Sequence, residues 1–358
     1  MQIRKKWQSY KNLIDLELGL FFQRQYQEVA SFDPEIQTAW KHLEKVVVSS
    51  GKRLRPFLFL WSANLKESEQ KKIIPVAVSL ELIHSYFLIH DDIIDRDLVR
   101  HGVETLHETY RKKWNKFEKD NSESLHFGNG IALLLGDWLF SMALGNIFTS
   151  DLPNKQKTKI SREVISLVNN TIYGETLDVM TSLKQEYSLE EFRFKALEVI
   201  KTKTAYYTFI APFKLGVIIG EKTKEEGQLL EKVGMEMGKI YQWQDDILGI
   251  FEEEKKLGKP SGSDLRENKP TLLIIETLKG LNGEEKNRFI SLLGRNLKKN
   301  ELEKARNLIE KSGAREKLEK MIKGSADNLI KLVRSSRMKE SRKEELVGIM
   351  EMVVGREK

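Results

Sequence analysis

Apolar residues recur at three- and four-residue spacing over most of the chain, and strand-like alternation is scarce, so the pattern predicts an all-α fold. Taking polar breaks, capping residues and prolines as punctuation places helices at 11–30, 34–49, 56–66, 70–95, 127–149, 155–182, 189–202, 204–220, 224–251, 268–280, 284–297, 300–312, 314–335 and 340–354. Pro56, Pro75 and Pro270 fall near helix starts, where a missing N–H does little harm. Two polar segments, 96–126 and 252–266, read as loops. No repeat, low-complexity tract or domain boundary stands out, so a single helical domain over 1–358 is expected.

Each of those loops follows a cluster of acids at the polar end of an apolar helical run: Asp91-Asp92-Ile93-Ile94-Asp95 and Asp245-Asp246-Ile247-Leu248-Gly249. Carboxylates so placed are costly through repulsion and desolvation, which calls for a cation. At about 100° per residue Asp91 and Asp95 share one helix face a turn apart. Hard oxygen ligands in that arrangement suit Mg²⁺ completing its shell with substrate phosphate oxygens. One Asp-Asp-x-x-Asp match is more often a solvated helix face, but two clusters that both end apolar runs are harder to explain that way. A polar loop after each can close over a metal-bound anion.

Cations surround these acids in the sequence. Gly51-Lys52-Arg53-Leu54-Arg55-Pro56 puts three of them beside a helix start, a phosphate cradle or an ordinary basic helix entrance. His84, two turns before Asp91 on the same stripe, faces the same cavity or is a satisfied core histidine. Arg100 and His101 follow the first cluster. Arg266 and Lys269, with Lys259, surround Asp264 after the second, and Lys203 and Thr204 sit at an expected helix break. Acid walls with a cationic rim fit a diphosphate bridged by Mg²⁺ better than an uncharged ligand.

The 358 residues carry 40% hydrophobic residues and a net charge of +7. The basic residues are interleaved with acids along the chain, which reads as solvated helix surface and argues against a nucleic-acid partner. Zero cysteines exclude disulfides, thiolate metal sites and cysteine nucleophiles, and fit a cytoplasmic protein. No secretory signal is read at Met1–Trp7, where the mature chain is expected to begin. The most hydrophobic stretch, 130–148, borders on membrane-span length but carries Asp137 and three glycines, so a buried core helix is expected and no integral span.

In order and spacing, Gly51-Lys52-x-x-Arg55-Pro56, Glu81-Leu82-Ile83-His84, His90-Asp91-Asp92-x-x-Asp95, Arg100-x-Gly102, Gly136-Asp137, Gly174-Glu175-x-x-Asp178, Lys203-Thr204, Gln242-x-x-Asp245-Asp246 and Gly258-Lys259-Pro260-x-Gly262-x-Asp264 resemble the trans-isoprenyl diphosphate synthases of the polyprenyl synthetase family. The motif-bearing core spans about 45–280, followed by C-terminal helices over 281–358. The resemblance implies that Asp91, Asp95 and Asp245 bind Mg²⁺, three ions in all, with Asp92 and Asp246 in support. It assigns the allylic diphosphate to Arg100, Lys203 and Lys259, and isopentenyl diphosphate to Lys52, Arg55 and His84. Gln242 would line the reaction centre, and Thr204 and Lys269 belong to the substrate-binding set. A homodimer with an apolar helix such as 127–149 at its interface is also implied. Two positions depart from the family pattern: Gly249 stands where many members have a third Asp, and His101 where a second Arg helps hold isopentenyl diphosphate.

The expected reaction is loss of diphosphate from an allylic substrate, attack of the isopentenyl double bond on the allyl cation, and loss of a proton. In similar enzymes aromatic residues four and five positions before the first Asp obstruct the growing chain. Phe87 and Tyr86 hold those positions, favouring a C15 product, then C20, although ideal geometry puts only Phe87 near the Asp91 stripe. A class I terpene cyclase is a competing reading, but its usual Asn/Asp-x-x-Ser/Thr-x-x-x-Glu site is absent around Asp245. A metal-dependent phosphohydrolase would leave the second cluster and the Gly51–Pro56 motif without a role. A non-catalytic prenyltransferase-like subunit or helical binding protein is opposed by retention of both clusters and the expected lysines.

Overall fold

A computed structural model describes residues 2–49, 51–100, 102–115, 121–182, 187–253 and 261–355. In chain order the helices are α1 (Gln2–Val29), α2 (Pro34–Val48), α3 (Leu54–Ala63), α4 (Glu67–Gln70) leading through a 3₁₀ turn into α5 (Ile74–Ile94), α6 (Leu106–Trp114), α7 (Asn121–Phe148), α8 (Asn154–Ser182) and α9 (Leu189–Val199). A π-helical segment (Ile200–Ile210) runs on into α10 (Ala211–Ile219). Then come α11 (Lys224–Phe251), α12 (Ser263–Arg266), α13 (Leu272–Gly280), α14 (Gly283–Ile290), α15 (Lys299–Lys311), α16 (Ala314–Arg334) and α17 (Glu340–Gly355). Among the described residues the only strands are the antiparallel pair β1 (Val99–Arg100) and β2 (Val103–Glu104), so the fold is all-α as predicted. Packing divides the chain into two compact units, one of 1–161 with 218–221, the other of 162–217 with 222–358.

In the first unit α5 is apolar nearly all round and is buried from Ile74 to Ile83, as its composition requires. Helix α7 lies along it, fixed where Ser79 Oγ donates to the Ala143 carbonyl (2.9 Å) and Asn146 Nδ2 donates to the Pro75 carbonyl (2.8 Å). Gly136 permits the close approach, since a Cβ there would come within 2.5 Å of the His90 ring. Trp40 on α2 packs between Phe22 of α1 and Trp138 of α7, with ring centroids 5.0 Å away in both cases. Removing such a buried indole costs about 3–5 kcal/mol. The left-handed Arg96 (φ 57) ends the α5 region just past the first acid cluster.

The second unit is built around α11, which starts at Thr223, whose hydroxyl accepts from the Glu226 N–H. Its apolar face, Ile240, Trp243, Ile247 and Ile250, packs into a core with Leu272 and Leu273 of α13, Phe289 of α14, Ile309 of α15 and Leu318 of α16. Its other side meets the π segment at van der Waals limits. A Cβ at Gly238 would lie 2.3 Å from Ala205 Cα, and one at Gly174 on α8 would lie 2.7 Å from the Lys203 nitrogen.

Four expectations need correction. Helix α1 begins at Gln2 rather than 11, because Ile3, Tyr10 and Ile14 continue its buried stripe through the basic Arg4-Lys5-Lys6 run. The loop expected over 96–126 contains the hairpin, α6 and the start of α7, and α6 forms on the buried pair Leu106 and Tyr110, one turn apart. Helix α14 ends at Ile290, short of the predicted 297, with Gly294 at φ 75 in the turn beyond. Helix α7 is not a buried core helix throughout: Leu134 is 66% exposed, and Leu125, Leu133 and Phe148 are exposed with it. By length and composition both Glu67–Ile94 and α7 pass as membrane-span lengths, the former mostly buried.

Candidate active site

The first acid cluster ends α5. Asp95 caps the helix, its N–H donating to the Asp91 carbonyl at 2.8 Å, so Asp91 and Asp95 stand one turn apart as the spacing predicted. Asp92 turns inward and is buried. The hairpin brings Arg100 back onto the cluster: its Nε donates to Asp92 Oδ1, and an Nη2 reaches Asp91 at 3.3 Å and Asp97 at 3.6 Å. Burial pushes the Asp92 carboxyl up to about 7 against the pull of Arg100, with the negative charges of Asp91 and Asp97 adding to the rise. Asp97, itself buried, completes this group. The acid motif ends two residues before it, and only the fold of the hairpin links it to Arg100.

The second cluster lies on α11. Asp246 is 1% exposed, and burial, with the charges of Asp264, Asp245 and Asp178 around it, holds its carboxyl well above the usual range. Gln242 Nε2 donates to Asp246 Oδ1 at 3.0 Å, and Thr204 Oγ1 donates to Gln242 Oε1 at 2.6 Å, so Thr204, Gln242 and Asp246 form one chain of hydrogen bonds. Asp246 Oδ2 is buried without a hydrogen-bond partner. Asp264 approaches where a side chain at Gly249 would begin, its Oδ2 being 3.7 Å from an ideal Cβ there.

Lys203 and Thr204 were expected at a helix break. The structure instead keeps the helix going by widening it into the π segment, a form that is rare and concentrated at functional sites. Lys203 Nζ pairs with Glu175 (2.5 Å) and Asp178 (3.3 Å) of α8. Lys269 Nζ pairs with Glu267 at 2.7 Å, and its N–H donates to the Asp264 carbonyl. Lys259 and His101 lie outside the described residues.

The Gly51–Pro56 loop leads into α3, with Lys52 exposed, Arg55 partly buried and Arg53 buried. His84 and Phe87 are partly buried on α5. Tyr86 is buried against Phe140 of α7 (5.4 Å between centroids), His90 (4.6 Å) and the Phe87 ring beside it (4.7 Å).

Among the described residues no three His, Asp or Glu side chains converge tightly enough to hold a metal alone. The donors nonetheless fit hard divalent ions. Each cluster pairs a buried carboxyl pushed towards protonation with accessible carboxylates beside it, and Asp246 keeps a buried oxygen unused.

The polyprenyl synthetase family model matches residues 37–310. A short chain isoprenyl diphosphate synthase of Methanocaldococcus jannaschii is 31% identical over 282 residues, 78% of each chain. A geranylgeranyl diphosphate synthase of Saccharolobus solfataricus is 32% identical over 283 residues, covering 77% of this chain and 79% of that one. A crystal structure of geranylgeranyl pyrophosphate synthase from Corynebacterium glutamicum, complexed with isoprenyl diphosphate and magnesium, superposes with a TM-score of 0.89 at 25% identity, covering 97% of this chain and 99% of that one. These likenesses agree with the acid clusters and their cations: the chain belongs to the polyprenyl synthetase family and is a trans-prenyl diphosphate synthase, a prenyltransferase of isoprenoid biosynthesis.

Proposed function

We propose that the enzyme condenses an allylic diphosphate with isopentenyl diphosphate, releasing diphosphate, and that it favours a C20 product with C15 second. The observation that carries the reaction is the pair of crowded carboxylate clusters, each with a buried member that burial drives towards neutrality unless a cation arrives. The relatives named for geranylgeranyl synthesis support C20 over the C15 favoured by two aromatic rings.

Asp91 and Asp95 at the end of α5, and Asp245 on α11, would hold Mg²⁺, three ions in all, with Asp92 and Asp246 fixing their neighbours. Bound Mg²⁺ would neutralise charge developing on the departing diphosphate. Lys203 and Arg100 offer further N–H donors to the allylic diphosphate, each exchanging a carboxylate partner for a phosphate oxygen. Lys259 and Lys269 belong to the same anion-binding set. Lys52, Arg55 and His84 hold isopentenyl diphosphate. Thr204 orients the Gln242 amide, whose other end is committed to Asp246. Phe87 keeps water from the cation and stops the chain. The proton leaves to the released diphosphate.

The exposed apolar side of α7 supports a homodimer in which a second copy covers Leu134 and its neighbours. Purified protein incubated with Mg²⁺, isopentenyl diphosphate and each allylic primer in turn should yield prenyl chains and one diphosphate per condensation. Release of phosphate, cyclised products, or no transfer overturns the reading.

A further inference from the structure

Three cations of the Gly51–Pro56 loop look alike in sequence, yet the structure spends the middle one differently. Arg53 is 5% exposed while Lys52 beside it is exposed. Its backbone sits in the left-handed region (φ 50), where a residue with a Cβ is strained by roughly 1–3 kcal/mol unless its surroundings hold it there. Those surroundings are explicit. Arg53 Nε donates to Asp15 Oδ1 of α1 at 2.8 Å and Nη1 to Glu81 Oε2 of α5 at 2.9 Å. Nη2 donates to the carbonyls of Val47 (3.3 Å), Val48 (3.4 Å) and Ser49 (3.1 Å) at the C-terminal end of α2, where the helix dipole favours a cation. One planar guanidinium thus ties three helices together. The fit also explains Gly51: a Cβ there would lie 3.0 Å from Arg53 Nη1.

A second tie reaches the loop from α1. Trp7 Nε1 donates to the Lys52 carbonyl at 2.7 Å, and its ring stacks on Phe57 of α3 with centroids 5.4 Å apart. Helix α1 therefore grips the loop at Lys52 through Trp7 and at Arg53 through Asp15. Glu81 lies one turn before His84 on α5. The two ties join in one framework the backbone segments carrying Lys52, Arg55 and His84.

We propose that Arg53 is a positioning residue, and α1 a strap, that set the spacing of Lys52, Arg55 and His84 and so tune affinity for the diphosphate of isopentenyl diphosphate without touching it. This rests on the assignment of those three residues to isopentenyl diphosphate. A diphosphate binder depends on donors held at fixed separation, so loosening the loop weakens binding of one substrate and leaves the chemical step to the acid clusters.

The test is steady-state kinetics with each substrate varied in turn, alongside thermal melts, on Trp7→Phe, Asp15→Asn and Arg53→Lys. Trp7→Phe keeps an aromatic ring against Phe57 and removes the indole N–H. It should raise KM for isopentenyl diphosphate about threefold to tenfold, with KM for the allylic diphosphate and kcat within twofold and Tm nearly unchanged. Arg53→Lys retains charge and loses the fork, and should raise the same KM more than tenfold. Asp15→Asn should fall between. Where Arg53→Lys does not fold, Trp7→Phe decides alone. Equal movement of both KM values, or a lowered Tm with both KM values unchanged, overturns the strap while leaving the prenyltransferase reading standing. Product formation by the wild type, with a KM for isopentenyl diphosphate that stays the same in Lys52→Ala, overturns the parent assignment instead.

Discussion

The two acid clusters meet the same electrostatic problem with different help. The first has a resident cation: Arg100 bonds Asp92 and reaches Asp91 and Asp97, yet burial still lifts Asp92 to about 7. The second has an amide in that place. Asp246 receives Gln242 on one oxygen, and like charges from Asp264, Asp245 and Asp178 drive it further up. Among the described residues Lys203 is paired with Glu175 and Asp178, and Lys269 with Glu267. The buried carboxyl of the first cluster is thus arginine-supported, and that of the second takes its hydrogen bond from an amide. An arginine moderates a buried carboxylate but does not by itself overcome desolvation.

Changing Asp91 or Asp245 to Ala should break both sides alike, lowering kcat about 10³-fold or more, since each removes a proposed oxygen donor for the metal. Loss of less than tenfold in either would show that the two clusters do not share the work. Stability without metal should separate them. Asp92→Asn removes the charge that faces Arg100 Nε, leaving it Asp91 and Asp97, and should cost about 1–3 kcal/mol in urea melts run with chelator, whereas Asp246→Asn keeps the Gln242 acceptor, relieves like-charge crowding and should be neutral or stabilising. In the wild type, Mg²⁺ with inorganic pyrophosphate should raise Tm, and chelator should reverse it.

Chain length should follow only the first cluster. Phe87→Ala should shift product towards longer prenyl chains, Tyr86→Ala less so, and Tyr241→Ala, one turn before Asp245 and packed on Phe209, not at all. A product profile unmoved by Phe87→Ala removes Phe87 as the stop. The smallest effect concerns His107 of α6, whose imidazole burial holds below its ordinary 6.5. A depressed imidazole favours the folded state above pH 6.5, and that contribution is lost as pH falls, because the unfolded chain takes up the proton first. Between pH 7.5 and 5.5 the wild type should lose more stability than His107→Gln, by about 1 kcal/mol or less.

Much of this was readable from residue order because it depends on local spacing. The Asp91 and Asp95 turn and the Thr223 start of α11 both follow from helical geometry. What escaped depends on how the chain folds back on itself. Helical spacing does not show that β1 turns Arg100, assigned to an incoming diphosphate, onto Asp92 and Asp97. Arg53, given no role between Lys52 and Arg55, acquires one only when α1 and α5 supply Asp15 and Glu81. The Lys203-Thr204 segment read as a break because its polar pair interrupts an apolar pattern, whereas α8 and α11 press on it from glycine-lined faces and hold it as a widened helix.

Those glycine faces limit how the enzyme can change over evolutionary time. Gly174 and Gly238 touch the backbone of residues 202–205 itself, so any larger residue at either position displaces the lysine and threonine whatever its chemistry. Change in the substrate pocket must therefore run through other positions, with 174 and 238 held as glycine as long as the widened helix is kept.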